Sequence, residues 1–517
     1  MSDSRPPRLV MDSSICGVNA QCCMPEHSTL PTAADVIRCY PLRNSQEPLD
    51  CFSIDIKSAH KRIAVAAEDR GFLGFQFRGK LFFYRVCPFG AVFSAHYWSR
   101  LAGALLRLWR RISWLSHASF LYVDDFFMFQ CAKMLPVSAC MICALNILCH
   151  VPISWKKCEI GPCIRWIGWL FDVRTGIVYI PADKQEKLHQ LVQKLLQSSQ
   201  QSRKTLEKFL GLAMWVTQLY PHLRTWLHWV YRDLYSIPAS HYSVDPGSWN
   251  QVISSLSPDL IFESRPPHTA IPLHSRLISV RHQEVSSKAD LAHCRIGDKR
   301  IWLRIRDPAS SKRKLSVEST KTIRLFDKWI TNLCPFRSMW PKPFWSGLCV
   351  ADAFAHGSEC GIGGIIYSPA GSTHWFSLRL HKADFEALEI PLHDDLQKDI
   401  SSLETLAQMA LVFMVIRMHP GFRIPIRIST LSDNTAAESS SNRLFSTSMP
   451  LALFLEKLSL LISKSSVEVS TSHIAGHDND VADKLSRWDG SVSPAISSSR
   501  CLDPMVLSEL ISTSVAG

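Results

Sequence analysis

Phe120-Leu121-Tyr122-Val123-Asp124-Asp125-Phe126-Phe127-Met128-Phe129 sets two adjacent carboxylates inside a run otherwise fit for burial. The apolar halves on either side are β-rich, so the spacing predicts a hairpin with the aspartates at its tip. Repulsion between neighbouring carboxylates becomes tolerable when a divalent cation lies between them and a third ligand. Asp55, closing the apolar strand Cys51-Phe52-Ser53-Ile54-Asp55, supplies that third candidate. Two magnesium ions ~3.5–4 Å apart on such carboxylates activate a 3′-hydroxyl and stabilise a leaving pyrophosphate. The plainer reading of an isolated Asp-Asp pair is an Asx-rich hairpin loop.

Working outward, Pro88-Phe89-Gly90 precedes the pair, and Lys156-Lys157-Cys158 and Trp166-Ile167-Gly168 follow it. Together with Asp55 these motifs, in this order and spacing, resemble the palm of reverse transcriptases. The resemblance implies that Asp55 and Asp124 are the main metal ligands, with Asp125 assisting and the backbone carbonyl of Ile56 as a further ligand. It implies that Gly90 lies in the loop positioning template and nucleotide, and that Lys156 or Lys157 protonates the pyrophosphate. A plain surface lysine stands beside that role. Trp166, Ile167 and Gly168 resemble the primer grip. The chain departs from the family at Asp55-Ile56-Lys57-Ser58-Ala59-His60. Ser58 replaces a second acid, and His60 stands where an aromatic ring blocks the nucleotide 2′-hydroxyl. A gate and a solvated or capping histidine are both open for His60. Only 54 residues precede Asp55, fewer than full fingers occupy, so an N-terminally truncated element and weak primer extension are expected.

Four more acids sit in the C-terminal part. Asp352 lies mid-strand in Val350-Ala351-Asp352-Ala353-Phe354, an unlikely place for an unpaired charge. Glu404 lies on a helix beside Leu403, Ala407 and Leu411. Asp433 closes a strand before Asn434-Thr435-Ala436-Ala437, and Asp483 ends His473-Ile474-Ala475-Gly476…Asn479…Ala482-Asp483. Four acids at element ends or on inward faces suggest a shared dication pair that activates water against a phosphodiester. Asp433 also reads as an N-cap, and His473 as a core or capping histidine. The pattern resembles the ribonuclease H fold, and its local runs resemble DIRS-like and gypsy-like retrotransposons. The resemblance implies that all four acids ligate metal and that His473 helps the attacking water or product departure. The acidic insert from Glu386 to Asp399 has no role in this reading.

At 517 residues the chain exceeds the ~250–300 residues of one core. Lys plus Arg is 57 against 45 Asp plus Glu, a net +12 that fits a polyanionic partner. The 17 cysteines are scattered rather than paired at zinc spacing, so thiols are expected, with Cys140 and Cys143 in the core of an apolar helix. Neither a signal peptide nor an ~18-residue apolar run is evident, and an intracellular place, cytoplasmic or nuclear, is expected. The basic run Arg295–Lys328, with Arg300, Arg304, Arg306, Lys312, Arg313 and Lys314, reads equally as a solvated face or a nucleic-acid track.

The expected fold class is a multidomain α+β or α/β chain. Residues 1–48 are read as irregular or partial fingers, 49–182 as palm with fingers elements, and 183–240 as a helical thumb. A basic connection follows at 241–345, then a ribonuclease H-like domain at 346–490 and a loose Ser-rich tail at 491–517. The expected activity is RNA-directed DNA synthesis with degradation of the RNA of the hybrid. The implied cofactor is Mg2+, two ions per site, with Mn2+ as substitute. The implied partners are RNA template, DNA primer, RNA–DNA hybrid and deoxynucleoside triphosphates, with no membrane. A ribonuclease alone and a non-catalytic nucleic-acid-binding remnant are the alternatives; intact acids at all the candidate metal positions argue against decay.

Overall fold

The computed structural model describes residues 13–14, 17–26, 29–42, 47–236, 239–244, 250, 254, 261–265, 276–279, 284–285, 301–306, 312–332, 336–419, 425–465, 467–491, 496, 499–501 and 507–511. It is an α+β chain that divides into two compact units, residues 1–185 with 334–341, and 186–333 with 342–517.

The first unit is built on β1 (Leu49–Asp55), β2 (His117–Tyr122) and β3 (Asp125–Cys131), ordered β2–β3–β1 with the short strand Glu159–Gly161 beyond. All these pairs are antiparallel. Phe126 and Met128 face a core shared with Phe52, Ile54, Trp98 and Trp109. Phe127 stacks on the other side against Trp166, 5.2 Å between ring centroids. Both faces of β3 are thus covered, which is why its sequence is a continuous apolar run rather than an alternation. Helices α1 (Val92–Ile112) and α2 (Leu135–Leu148) contribute Trp98, Leu105 and Ile142 to that core. On α2, Cys140 is exposed and Cys143 half-buried, so the expectation of core thiols fails for Cys140; the helix is apolar nearly all round and only one side is packed. The described cysteines are free.

In the second unit, helices Arg203–Val216, α3 (Leu227–Tyr235) and Val317–Asn332 pack together, with Phe209 edge-on to Phe326. Strands Ile261–Arg265, Ile301–Arg306, Ala239–Val244, Arg276–Ser279 and Glu284–Val285 form a five-stranded sheet in that order. Within the basic run, Arg300 lies outside the described residues. Arg313 fits neither the solvated face nor the track: it is 5% exposed and donates to the carbonyls of Leu234 and Lys312. Strand alternation on Lys312–Lys314 turns it inward while Lys312 and Lys314 face out.

The C-terminal sheet comprises β4 (Phe344–His356), β5 (Glu359–Tyr367), β6 (Thr373–His381), β7 (Ile426–Ser432) and β8 (Val467–His473), ordered β8–β7–β4–β5–β6. The β4–β5–β6 meander is antiparallel, whereas β7 and β8 join in parallel. Helices α4 (Ile400–Met418) and α5 (Leu451–Ser465) cover one face, and α6 (Asp480–Ser486) the other. The apolar span Leu396–Met418 is long enough to cross a membrane, contrary to the expectation that no such run exists; 78% of its apolar window is buried inside this domain, which accounts for its composition. The tail is not wholly loose. Ser499–Cys501 pairs in parallel with β6, and the helix Leu507–Ile511 buries Leu507 and Leu510, one turn apart, in the core. The acidic insert is a packed lobe: Phe385, Ile390 and Leu396 enter the core, and buried Asp399 accepts from the backbone N–H and pairs with Nδ1 of His393.

Candidate active sites

Register brings the first acidic group together. Asp55 stands opposite Asp125 across β1 and β3, and Tyr122 opposite Asp125 leaves Val123-Asp124 as the two-residue turn. Val123 holds a left-handed φ of 55°, as such turns require, and Trp98 Nε1 donates to its carbonyl at 2.7 Å. The N–H of Ile56 donates to the Asp124 carbonyl at 2.9 Å, tying the strand end to the turn. One carboxylate oxygen from each of Asp55, Asp124 and Asp125 lies within 4.8 Å of the others.

The charges in this group are uneven. Burial works to raise the Asp55 carboxyl, but hydrogen bonds from Lys157 and Ser154 outweigh it and hold it below the ordinary value. Lys157 Nζ sits 2.6 Å from Asp55 Oδ1. Burial, then Asp124, pushes Asp125 up to about 6, and burial followed by Asp55 raises Asp124. Of the two lysines, the structure brings Lys157 to the carboxylates, while Lys156 stays exposed.

His60 lies in a 3-10 turn, its ring edge-on to Phe89 at 5.5 Å and to Trp98 at 6.4 Å, and burial lowers its pKa. It is packed beside the acids, which removes the solvated reading. Gly90 has φ 98°, a conformation that suits glycine. Sequence reasoning missed its clamp: Asn19 Nδ2 donates to the Gly90 carbonyl at 2.9 Å, while Asn19 Oδ1 accepts from Val92 N–H at the start of α1. An Asn seventy residues upstream in irregular sequence carries no local signal of this. Trp166 is 3% exposed and donates from Nε1 to the Asp125 carbonyl at 3.1 Å. A direct grip on a primer is therefore closed to its ring, which supports the acids from beneath. Ile167 and Gly168, both at positive φ, form the half-buried hairpin tip.

In the C-terminal domain Asp352, Glu404 and Asp433 form the second group, again with one oxygen each within 4.8 Å. Asp352 and Glu404 are 4% and 3% exposed. Ala353 N–H is donated to Asp352 Oδ1 at 2.7 Å and Glu404 Oε1 at 3.2 Å, while Glu404 Oε2 is buried without a hydrogen-bond partner. Burial first, and then Asp352, pushes Glu404 up to about 10; Asp352 is also raised by burial. Asp433 is not the helix cap, because Asn434 accepts from the N–H groups of Ala436 and Ala437. Asp483 lies outside the group of three and instead accepts from Arg487 Nε at 2.8 Å. His473 is exposed beside the strand end bearing Asp433, and neither core nor cap. Asn479, quoted in the motif without a role, is 1% exposed and donates to Asp352 Oδ2 at 3.0 Å.

Both groups offer hard carboxylate oxygens in excess of the hydrogen-bond donors around them, the donor set that Mg2+ and Mn2+ prefer. Glu404 Oε2, buried beside Asp352 without a geometric hydrogen-bond donor, is an oxygen available to such an ion.

Among solved structures, the foamy viral protease–reverse transcriptase in complex with ds DNA is 12% identical, covering 90% of this chain and 62% of that one, with a TM-score of 0.38. This chain thus spans less than two thirds of that structure's length. The native prototype foamy virus protease–reverse transcriptase is 14% identical, covering 94% and 72%, with a TM-score of 0.26. LC11-RNase H1 in complex with an RNA/DNA hybrid is 15% identical, covering 28% and 94%, with a TM-score of 0.22. No protein of curated function matches. Residues 20–171 match the family model described as reverse transcriptase (RNA-dependent DNA polymerase).

Proposed function

We propose that the chain copies RNA into DNA at the first acidic group and cuts the RNA of the resulting hybrid at the second. The observation that carries the reading is the convergence of Asp55, Asp124 and Asp125 inside the segment matching the reverse-transcriptase model. Asp55 and Asp124, with Asp125 and the carbonyl of Ile56, would hold a Mg2+ pair, whose chemistry is to lower the pKa of the attacking hydroxyl and offset charge on the pyrophosphate. Lys157, already at the acids, is placed to give a proton to the departing pyrophosphate, and Lys156 is not. His60, braced by Phe89 and Trp98, is placed to exclude a 2′-hydroxyl, and Gly90 leaves room for the nucleotide beside it.

Asp352, Glu404 and Asp433, with Asp483, would hold the second pair, with His473 free in solvent to move the proton of the water or product. In this reading the net charge of +12 suits a phosphate backbone, and the two domains serve a retroelement, DIRS-like or gypsy-like. The test uses a labelled RNA template annealed to a DNA primer, with deoxynucleoside triphosphates and magnesium. Primer extension and RNA shortening by one preparation are expected. RNA shortening without extension would reduce the chain to a nuclease, and neither product would leave a binding protein.

A further inference from the structure

Three of the four C-terminal acids converge and the fourth is held by a cation. Asp483 opens toward solvent on α6, and its Oδ1 accepts from Arg487 Nε at 2.8 Å, one helical turn on. The guanidinium is itself anchored, 4.7 Å over the ring of Phe354, a ring that Arg379 also approaches at 5.4 Å. Phe354 stands two residues from Asp352 on β4, so both side chains leave the same sheet face.

The backbone explains how a helix end comes so near. Opposite Asp352 and Phe354 on β5 are Gly363 and Gly361. A Cβ on Gly361 would come within 2.0 Å of the Ser486 carbonyl oxygen, and one on Gly363 within 2.3 Å of the Ser486 nitrogen. The absence of side chains lets the end of α6 lie against the strand, which delivers Arg487 to Phe354 and Asp483 to the rim of the acidic group.

From this arrangement we infer that Arg487 is a positioning residue which competes with divalent metal for Asp483, so that the fourth ligand joins only when the ion displaces the arginine. The inference rests on the nuclease reading of the second group for its meaning in catalysis, though not for its effect on ion binding. Arg487 and Asp483 are partly exposed, at 54% and 40% of their side-chain surfaces. An ion pair so placed is weak, so the competition is shallow: about two- to five-fold in affinity.

The experiment takes the full chain with Asp124→Asn, which silences the first group, and titrates Mn2+ by calorimetry at fixed pH. Arg487→Gln should bind Mn2+ about two- to five-fold more tightly, and Arg487→Lys should stay near the parent. In an Asp483→Asn background the Arg487→Gln gain should vanish. Phe354→Leu, which removes the anchoring ring without the ion pair, should move affinity the same way by less, and serves if Arg487→Gln does not fold. Unchanged or weaker binding in both variants would overturn the inference, as would a gain that persists without Asp483. If the expected pattern appears in a chain that leaves hybrid RNA intact in magnesium, the nuclease reading falls and the arginine's role stands.

Discussion

The two acidic groups each gather three carboxylates and tolerate them by opposite means. In the first, Lys157 supplies a cation at 2.6 Å, Asp55 stays below its ordinary pKa, and burial, followed by the neighbouring acids, raises Asp125 to about 6. In the second, a backbone N–H and Asn479 are the donors, the nearby arginine is engaged with Asp483, and Glu404 is pushed to about 10. One group is balanced by a side chain and the other by a bound proton. A third buried acid calibrates the difference. Glu456 on α5 accepts from Trp229 Nε1 of α3, lies outside any acidic group of three, and is taken to about 7 by burial with a smaller push from Glu318. The further climb of Glu404 therefore comes from its deeper burial and the acids beside it.

The largest expected effect separates the groups. Asp124→Asn should lower primer extension by about 10³-fold or more and leave RNA cutting intact, and Glu404→Gln should do the reverse. Asp55→Asn combined with Asp124→Asn should cost no more than either alone, because they disable one unit. Gel assays of extension and RNA cleavage on one hybrid check both. Loss of both activities from either single change would mean that the two groups do not act separately.

How much of this was legible follows the range of the signal. The hairpin at Val123-Asp124 could be read locally, since the apolar flanks and the acid pair are adjacent, and the union of Asp55 with Asp125 followed once motif order was recognised. The strands and helices around Asp352, Glu404 and Asp433 were likewise visible as periodic segments. Contacts with no local trace were not. The Asn19 clamp on Gly90, the Leu234 carbonyl partner of Arg313 and the Trp166 bond to the Asp125 carbonyl each join residues whose own segments say nothing of the partner, whereas the Arg487 hold on Asp483 is an i,i+4 pair that the helix spacing does carry. The tail misread because serine-rich composition masked the apolar pair Leu507 and Leu510.

Next in size is the calibrating acid. Its raised pKa means that the stability the neutral form contributes is complete below about pH 4.5 and is lost as pH rises through about 7. Glu456→Gln keeps an acceptor for Trp229 and never ionises. The variant should match the parent near pH 4 and exceed it by up to about 3 kcal/mol at pH 8. Chemical denaturation at the two pH values measures it. A pH-independent difference would mean that Glu456 is ionised in the folded chain, and would remove the calibration used for Glu404.

Smaller still is the pH slope of ion binding. A metal that enters the second group must displace the Glu404 proton, because its pKa of about 10 keeps it neutral at physiological pH. Mn2+ affinity measured in the Asp124→Asn chain should therefore rise about tenfold per pH unit between pH 7 and 9. Asp125 at about 6 is already ionised over that range, so the first group, measured in a Glu404→Gln chain, should be nearly flat. Equal slopes would erase the distinction between a lysine-balanced and a proton-balanced site.

The smallest effect concerns that lysine. Lys157 occupies Asp55 Oδ1 where an ion would bind, so it lowers the cost of three carboxylates in the free chain and opposes metal entry for the same reason. Its side chain is 64% exposed, so solvent screens the pair and the competition is worth little. Lys157→Met should tighten Mn2+ at the first group by about two- to five-fold, and Lys157→Arg should leave it unchanged. Extension should fall in Lys157→Met despite the tighter ion, because the group placed to protonate the pyrophosphate is gone; the fall should be smallest at low pH, where solvent supplies protons. Lys156→Met, which removes an exposed lysine, should alter neither quantity. Calorimetry in the Glu404→Gln chain and a pH profile of extension read the two effects separately. Tighter metal with unchanged extension would leave Lys157 as a counter-charge alone, and weaker metal would show that the lysine organises the carboxylates rather than competing for them.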